Sequence, residues 1–483
     1  MGDICCNHHP ALKCYPIWAS DRAADLAANM LPDRAPLLSS RRLVFDGPVG
    51  RLPLILVAVL CLFQPGFIAA GLHLLGLAGF VVLITYRAVL FLLGRCVFRA
   101  HRSVSMPACS DCLPVYSVLL PMFREATSVT PLCAALNELR YPKDRREFLF
   151  LVEACDHETL RALRQAALPV GSRIVVAPDG LPRTKPRALN LGLALLSGDL
   201  VTVYDAEDRP HPDQLLVAAA AFRKEGERLA CVQAPLRAHN AGESWIAGQW
   251  ALEYEMNFGL VLPALARLGL PMALGGTSNH FRVDVLKAVG GWDAWNVTED
   301  ADLGLRLARL GWKTGVIAPP TLEEAPESFR VWMAQRSRWL KGYIQTWSVL
   351  MRRPVQAMRE MGVRAFCSTQ VLLGGAIVSA LVHGPLLVWC VACLVVPGLS
   401  IGAISLAVLL SGYVVSALAA VFAPGRRRWE RPFLVLTFVL YWPLLSLAVV
   451  RALYGVATRP HAWAKTPHGL TRHRPASDLA AFA

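Results

Sequence analysis

Three carboxylates follow an apolar run near the middle of the chain. Residues 200–204 read LVTVY, and Asp205, Glu207 and Asp208 come directly after them. A buried strand delivers such acids at its carboxyl end, where open α/β sheets place their ligands. Carboxylate oxygens at that position can hold a hard divalent cation together with a diphosphate. The alternative interpretation is an acidic turn that caps a helix starting near Pro212.

Further acids occupy corresponding places elsewhere in the chain. Asp156 follows a second apolar run, and Asp300 stands in the sequence Thr298-Glu299-Asp300 ahead of a helical pattern. Acids along one edge of a sheet can divide the work of contacting a nucleotide, holding a metal and accepting a proton from a hydroxyl. We predict that Asp300 is the general base, because an acid at a helix start is held rigidly. Helix capping by Thr298, with the two acids complementing the helix dipole, explains these residues equally well.

A polar and aromatic face is predicted further along the chain. Gln335, Arg338 and Trp339 are spaced i, i+3 and i+4, so they share one face of a helix. That face offers an amide, a fixed cation and a flat ring. Arg338 can bind a diphosphate, and Trp339 can stack on a sugar ring or a base. The alternative is an interfacial tryptophan with arginines near lipid headgroups.

The elements that position these residues lie between two apolar blocks. The chain is 54% hydrophobic and only 17% charged, and the excess gathers in residues 52–98 and 371–454. Both blocks contain runs near the ~20 residues that cross a bilayer. Basic residues crowd beside the blocks, so the net charge of +14 fits the positive-inside rule and not a nucleic-acid partner. We predict a multi-pass protein of the cell inner membrane with a cytosolic domain.

The middle of the chain alternates between short β-branched runs and helical patterns. This alternation predicts a Rossmann-like α/β domain, with a mostly parallel sheet covered by helices. The predicted strands are 115–120, 148–152, 173–177, 200–205 and 230–233, and the predicted helices between them are 130–139, 158–167, 186–196 and 212–225.

These patterns divide the chain into segments. The predicted segments are a polar, poorly ordered tail (1–48), two transmembrane helices separated near Gly71 to His73 (49–99), the α/β domain (110–342), interfacial helices (343–368), three or more transmembrane or re-entrant helices (369–456) and a basic tail (457–483). The loop with the arginines at 426–428 and the carboxyl-terminal tail are both basic, although only one predicted helix lies between them. Either one end breaks the positive-inside rule, or that helix bends back at Trp442-Pro443.

The motifs in this order resemble those of membrane glycosyltransferases of family 2. They read Asp205-Ala206-Glu207-Asp208, Thr298-Glu299-Asp300 and Gln335-Arg336-Ser337-Arg338-Trp339. The resemblance covers about residues 50–470 and is to the cellulose synthase and hyaluronan synthase group, of the bacterial exopolysaccharide synthase type. It implies a GT-A domain that uses a UDP-sugar, with UDP-glucose expected, and Mg²⁺ or Mn²⁺. It also implies inversion of the anomeric centre in a single displacement.

The resemblance implies a role for each motif residue. It makes Asp300 the base, and it makes Asp205 a metal ligand together with Glu207 or Asp208. The residues implied for donor binding are Asp156 (at the uridine), Lys185, Asp205, Glu207, Thr298, Glu299, Gln335, Arg338 and Trp339. Those implied for acceptor binding are Gly276, Thr277, Ser278 and Trp339, although the loop also fits a tight turn. Residues 463–469, WAKTPHG, resemble a gating segment that covers the nucleotide.

Three functions are compatible with these features. The first is elongation and translocation of a β-linked polysaccharide within the bilayer, with accessory export or regulatory subunits as partners. The second is transfer of a single sugar to a polyprenyl phosphate or another lipid. The third is a non-catalytic membrane receptor or scaffold. The intact acids and the intact Gln335 to Trp339 face favour the two enzymatic functions. His157 follows Asp156 where the group often has a second aspartate.

Overall fold

A computed structural model describes residues 16–43, 65–100, 113–425 and 430–462 of the chain. An eight-stranded sheet lies at its centre, in the order β1-β4-β3-β2-β5-β9-β7-β10. All of its pairings are parallel except those of β9, which runs antiparallel to β5 and β7. Its strands are β1 (Ile17–Trp18), β2 (Tyr116–Met122), β3 (Arg146–Glu153), β4 (Ser172–Ala177), β5 (Leu200–Val203), β7 (Leu229–Gln233), β9 (Asn279–Arg282) and β10 (Lys313–Val316).

The alternation of side chains along the strands builds two cores. Val118 and Phe150 belong to a buried cluster on one face of the sheet, and Leu119 and Leu151 belong to a second cluster on the other face. Strands covered on both faces read as continuous apolar runs. The predicted strands therefore coincide with observed ones to within two residues at each end.

A smaller sheet lies beside the main one. It consists of β6 (Arg209–Pro210), β11 (Thr321–Glu323) and β8 (Leu236–Ala238), with β11 in the middle. β11 is antiparallel to β6 and parallel to β8. This sheet joins the turn that carries the acids after β5 to the segment that leads into the Gln335 helix.

Helices cover the sheet and extend into the membrane-type part of the chain. In the α/β part they are α3 (Val129–Asn137), α4 (His157–Gln165), α5 (Lys185–Leu195), α6 (Gln214–Glu225), α7 (Trp245–Met256), α8 (Leu262–Leu268), α9 (Val283–Ala288), α10 (Glu299–Arg309) and α11 (Phe329–Leu350). The others are α1 (Asp21–Arg34), α2 (Pro65–Ala100), α12 (Pro354–Met361), α13 (Val363–Thr369), α14 (Gly375–Val395), α15 (Ala403–Phe422), α16 (Arg431–Leu436) and α17 (Phe438–Thr458).

The amino-terminal segment is folded over residues 16–43, which corrects the expectation of a poorly ordered tail. β1 extends the sheet beside β4, and α1 buries Ala24, Ala27 and Leu31. Asn190 of α5 donates a hydrogen bond to the Ala27 carbonyl oxygen at 2.9 Å. Alanine and leucine at helical spacing give α1 an apolar face, which packs on the domain. Residues 1–15 lie outside the described part of the chain.

The described part of the first apolar block is one helix. α2 runs without interruption through Gly71 to His73, where a break between two transmembrane helices was expected. A single glycine costs a helix only about 1 kcal/mol, and no proline follows Pro65 in α2. The expected first helix lies mostly in residues 44–64, outside the described residues.

Four helices in the described ranges are long and apolar enough to cross a membrane. They are Ala70–Cys96, Val363–Val395, Ala403–Phe422 and Phe438–Thr458. α17 continues through Pro443, so the bend expected there is absent. The break lies earlier, at Thr437 between α16 and α17. α11 packs on α17, because Trp332, Leu340 and Ile344 are buried in a cluster that includes residues of α17. The interfacial position of residues 343–368 stays a prediction.

Two helices that the sequence analysis did not assign join the domain to the membrane-type helices. α7 and α8 are continuous through a π-helical turn, Asn257–Val261. Leu260 in that turn packs with Ala419 of α15. A Cβ atom on Gly94 of α2 would collide with the Leu260 carbonyl, so glycine permits this close approach.

Candidate active site

A cavity of about 600 Å³ opens at the carboxyl edge of the main sheet. Met122, Glu153 and Asp205, at or just after the ends of β2, β3 and β5, contribute to its wall. The predicted site residues that line it are Lys185, Asp205, Glu207, Gly276, Thr277, Thr298, Glu299, Asp300, Gln335, Arg338 and Trp339. Motifs up to 154 residues apart in sequence therefore share one cavity.

Lys185 connects two walls of the cavity. It is the first residue of α5, and its Nζ donates to Asp205 Oδ1 at 2.5 Å and to the Gly276 carbonyl oxygen at 2.6 Å. Burial alone would lower the pKa of Lys185, but the charges of Asp205 and Glu299 raise it above its usual range. The lysine is therefore a fixed cation beside the acids.

The acids after β5 point in two directions. Asp205 and Glu207 line the cavity, whereas Asp208 is buried. Asp208 Oδ2 accepts hydrogen bonds from the Asp205 backbone nitrogen at 2.7 Å and from the Thr277 hydroxyl. Burial and the neighbouring acids raise the pKa of Asp208 well above its ordinary value. Asp208 thus shapes the turn. Of the two residues predicted as the second metal ligand, Glu207 is favoured because it faces the cavity.

The carboxylates that face the cavity fit a divalent cation that is shared with a substrate. The described residues contain no group of three His, Cys, Asp or Glu side chains arranged to hold a metal by themselves. Mg²⁺ is commonly bound by one or two carboxylates together with phosphate oxygens. Asp205 and Glu207 meet that requirement. The N-cap residue of α6 is Asp213, so the acids of the turn do not cap this helix.

Asp300 lies at the start of α10, against the loop before β9. A Cβ atom on Gly276 would come within 3.3 Å of Asp300 Oδ2. Burial raises the pKa of Asp300 and of Glu299, and Lys185 partly opposes the shift in both. Thr298 makes no side-chain capping bond to α10, so the capping interpretation fails for this residue.

Buried amides hold the backbone before Asp300. Asn296 Oδ1 accepts a hydrogen bond from the Thr298 nitrogen at 3.0 Å, and its Nδ2 donates to Thr346 Oγ1 at 2.9 Å. Gln345 of α11 accepts from the Val297 nitrogen at 3.1 Å. Two adjacent residues of α11 therefore fix the loop that carries the predicted base.

The predicted face of α11 lies in the cavity wall. The Trp339 ring stacks on Tyr254 with centroids 5.9 Å apart, and Tyr254 stacks on Trp250 at 3.7 Å. Gln335 Oε1 accepts a hydrogen bond from Trp250 Nε1 at 2.8 Å. Trp339 is therefore part of an aromatic platform inside the cavity, and the alternative of a lipid-facing tryptophan does not hold. Arg336 points away from the cavity to Glu253.

Besides Asp208, two other predicted residues do not line the cavity. Asp156 caps α4 through the Thr159 nitrogen at 3.2 Å and accepts a second bond from the Arg124 nitrogen at 2.5 Å. Ser278 is buried, and its hydroxyl bonds Thr321 Oγ1 at 2.6 Å. Asp156 holds the backbone of Arg124, which lies in the wall. The structure therefore does not bring Asp156 and Ser278 into the wall with the other predicted residues, and their contacts with ligands stay a prediction.

Other wall residues were missed by the sequence analysis. Tyr254 and Phe258 come from α7 and the π-helical turn, Glu323 from β11, and Tyr343 from α11. The run WIAGQWALEYEM shows almost no amphipathic contrast, so helical periodicity does not identify α7 in the sequence. Glu323 has no comparable sequence signal, because it lies in a three-residue strand.

The fold and the cavity define a membrane-associated α/β protein with an acidic and aromatic site at the carboxyl edge of its sheet. Residues 200–457 match the family model described as "Glycosyl transferase family group 2", more than half of the 483 residues. The chain belongs to this family. The membership and the observed sheet together confirm the predicted family 2 glycosyltransferase with a GT-A domain beside membrane-type helices.

Curated relatives match a part of the chain. It is 26% identical over 233 residues to "Probable glycosyltransferase YdaM" of Bacillus subtilis, covering 48% of this chain and 55% of the relative. It is 27% identical over 274 residues to "Beta-monoglucosyldiacylglycerol synthase" of Trichormus variabilis, covering 54% and 56%. "Glucomannan 4-beta-mannosyltransferase 2" of Arabidopsis thaliana is 25% identical over 242 residues, covering 48% and 45%. The chain therefore spans about half the length of these relatives.

A solved structure also resembles the chain. It is "Mannosyltransferase PcManGT from Pyrobaculum calidifontis in complex with GDP-Man and Mn2+", at 16% identity and a TM-score of 0.49. The similarity covers 79% of this chain and 99% of the other.

Proposed function

We propose that this protein transfers a sugar from a nucleoside diphosphate sugar to an acceptor hydroxyl at a membrane. The observation that carries the proposal is that Asp300, Lys185 and Asp205 share one cavity with the aromatic platform of Trp339 and Tyr254. A buried acid, a fixed cation and a flat ring are the groups that such a transfer needs.

The donor side of the cavity is formed by the acids and cations. Asp205 and Glu207 would hold Mg²⁺ or Mn²⁺, which neutralises the charge of the departing diphosphate when it is bound. Lys185 keeps Asp205 in place and adds positive charge at the same wall. Arg338, also in the wall, is suited to a diphosphate oxygen because its guanidinium is planar and always charged.

Asp300 is the proposed base. It takes the proton of the acceptor hydroxyl while the hydroxyl oxygen bonds to the anomeric carbon. The bond from that carbon to the diphosphate oxygen breaks, and the nucleoside diphosphate leaves with the electron pair. The single displacement inverts the anomeric centre. Burial of Asp300 suits this step, because a raised pKa makes a carboxylate a stronger base.

The acceptor lies on the aromatic platform in this proposal. Sugar rings stack on tryptophan and tyrosine faces, and Trp339 and Tyr254 present two such faces at the cavity wall. We propose UDP-glucose as the donor and a growing β-linked polysaccharide as the acceptor, translocated between the membrane helices with accessory subunits. The α/β domain then lies on the cytosolic side of the inner membrane, because nucleotide sugars are made in the cytosol.

A second acceptor class is favoured by a separate observation. One relative is a synthase of a glucosylated diacylglycerol by name. α7 and α8 connect the cavity to the membrane-type helices, so a lipid hydroxyl at the bilayer surface is the second candidate acceptor. In that case a single sugar is transferred, and no polymer forms.

The test uses the full chain in nanodiscs with Mg²⁺ or Mn²⁺. Radiolabelled UDP-glucose, UDP-N-acetylglucosamine and GDP-mannose are supplied with and without diacylglycerol, and products are separated by size. We expect label in a polymer or in a lipid, and none with Asp300→Asn. Transfer that survives Asp300→Asn, or no transfer from any of the donors, contradicts the proposal.

A further inference from the structure

Glu323 is a cavity carboxyl whose Oε1 atom has no hydrogen-bond partner among the described residues. It lies on β11, the central strand of the small sheet, whose backbone is fixed on both sides by β6 and β8. Its own carbonyl oxygen accepts a hydrogen bond from the His239 nitrogen at 3.1 Å. The side chain lines the cavity, and its Oε1 atom is buried and unbonded. The strand is thus rigid, while the group that it presents is unsatisfied.

An unsatisfied buried carboxyl calls for an explanation. Leaving a buried polar group without a partner costs about 1–3 kcal/mol, and native proteins contain few such groups. An ion pair or a hydrogen bond from a hydroxyl would remove this cost, yet no described side chain bonds to Glu323 Oε1. A ligand in the cavity supplies the missing partner.

The surroundings of Glu323 define where that ligand lies. On one side, the charges of Asp208, Glu207 and Asp205 add to burial in raising the pKa of Glu323. On the other side, Glu323 adds to burial in raising the pKa of Tyr254, the ring that stacks on Trp339. β11 pairs with β6, which directly follows Asp208, and Glu323 lines the same cavity as Glu207 and Tyr254. The carboxyl therefore borders both the donor acids and the aromatic platform.

We propose that Glu323 binds a hydroxyl group of a sugar ring held between the donor acids and the Trp339–Tyr254 platform. The proposal rests on the proposed function and names a specificity residue for it. A sugar ring can stack on an aromatic face while its hydroxyls donate sideways to a carboxyl oxygen. A site built to bond a hydroxyl discriminates strongly against a ring that lacks it or presents it differently.

Other ligand chemistries fit Glu323 less well. A phosphate would be repelled by Glu323 itself and by its three carboxyl neighbours, all of which follow β5. A purely apolar ligand would leave Oε1 unsatisfied. A metal is already provided for by Asp205 and Glu207, which lie together on the turn after β5. A hydroxyl of the donor sugar or of the acceptor sugar remains, and the two sources share the same chemistry.

The experiment compares Glu323→Leu and Glu323→Gln with the wild type, in the full chain in nanodiscs. Glu360→Gln is the matched control, because Glu360 pairs with Arg309 away from the cavity. Calorimetry measures the affinities for UDP and for UDP-glucose, and assays measure KM for donor and acceptor. Thermal unfolding checks that each variant is folded.

We expect a selective loss in Glu323→Leu. Its affinity for UDP stays within about twofold, whereas binding of the ring weakens about tenfold, in line with one lost hydrogen bond to a carboxyl. Glu323→Gln, which keeps an acceptor oxygen, recovers most of that loss. A weaker affinity for UDP-glucose identifies the donor sugar, and a raised acceptor KM alone identifies the acceptor sugar. Either outcome supports the proposal.

Three results would overturn the proposal. Equal weakening for UDP and UDP-glucose would make Glu323 a nucleotide or structural residue. A higher Mn²⁺ concentration for half-maximal nucleotide binding would make it a metal ligand. Unchanged constants in folded Glu323→Leu would leave it without a role. If the wild type binds UDP-glucose but transfers nothing, the proposed function fails while the calorimetric test of Glu323 still stands.

Discussion

Lys185 Nζ lies 2.5 Å from Asp205 Oδ1 and 2.6 Å from the carbonyl oxygen of Gly276. One ammonium group therefore joins the start of α5, the end of β5 and the loop before β9. It is also surrounded by acids, because Glu299 and Asp300 contribute to its raised pKa. The lysine is a built-in counterion for the donor side of the cavity.

Replacing Lys185 by methionine is expected to lower kcat/KM for the nucleotide sugar by at least about tenfold. The reason is the loss of a charge-assisted bond worth about 1.5–3 kcal/mol, which leaves Asp205 without its cation. Lys185→Arg should not restore activity, since a planar guanidinium cannot replace a compact ammonium between two acceptors. Steady-state kinetics measure the effect. Lys224→Met, at an exposed position of α6, is the control, and equal effects of the two substitutions would contradict the assigned role.

Glu207→Gln and Asp208→Ala are expected to fail in different ways. Glu207 lines the cavity, so its change should raise the Mn²⁺ concentration needed for half-maximal activity and leave the melting temperature unchanged. Asp208 is buried and bonded to Thr277, so its loss should lower the melting temperature by removing two hydrogen bonds. Metal titrations and thermal unfolding separate the two effects. Matching profiles for the two variants would mean that the turn is not built as described.

The pH dependence of transfer should reflect the raised pKa of Asp300. The base must be ionised, so kcat/KM falls as the pH drops through a pKa above the usual ~3.9 of aspartate. Lys185 lowers the pKa of Asp300. In Lys185→Met that pKa should rise, so the residual activity should begin to fall at a higher pH than in the wild type. A pH series of initial rates tests the sign. A shift to lower pH would exclude Asp300 as the titrating base.

Asn296→Ala should reduce both stability and turnover. Asn296 bonds Thr298, Thr346 and Ser40, and its removal leaves buried partners unsatisfied at about 1–3 kcal/mol each. Because Thr298 precedes the base by two residues, kcat should fall more than the donor KM rises. Kinetics together with thermal unfolding check this. Loss of stability with normal kcat would show that the amide is structural alone.

Arg352→Met should loosen the amino-terminal segment from the domain. Its guanidinium donates to the carbonyl oxygens of Leu37 at 2.9 Å and of Ser39 at 3.0 Å. We expect faster amide hydrogen exchange in residues 16–43 and a lower melting temperature, whereas Arg353→Met on the neighbouring exposed position should change neither. Exchange that is unchanged in Arg352→Met would show that α1 alone anchors the segment.

Sequence patterns predicted the α/β part well, because short apolar strand runs and helical patterns alternate regularly along the chain. The nearly continuous burial of β2 and β3 and their alternation with helices leave few other arrangements. The directions of single side chains in turns were not predictable in the same way. Asp208 turns inward and accepts a hydrogen bond from the hydroxyl of Thr277, a residue 69 positions later in the chain. Asp156 was read as a ligand, yet its oxygens are used by Arg124 and Thr159.

The elements that the sequence analysis missed or misplaced lack a clear periodic signal. α7 and α8 are apolar on several sides, since they pack on both the domain and the membrane-type helices, so they show little amphipathic contrast. α2 was divided at Gly71 because a glycine beside a polar histidine resembles a turn in sequence. Glu323 lies in a strand too short to carry a period, and only the closed small sheet brings it to the cavity.

The packing of Leu260 against Ala419, with Gly94 beside it, bears on whether the α/β domain can be isolated from the membrane-type helices. Tyr254 and Phe258 line the cavity, while Leu260 of the same continuous helical segment packs against membrane-type helix α15. A water-soluble fragment made by trimming those helices would lose the support for one side of its own cavity. The wall of the cavity and the contact with the membrane-type helices belong to one continuous helical segment, residues 245–268.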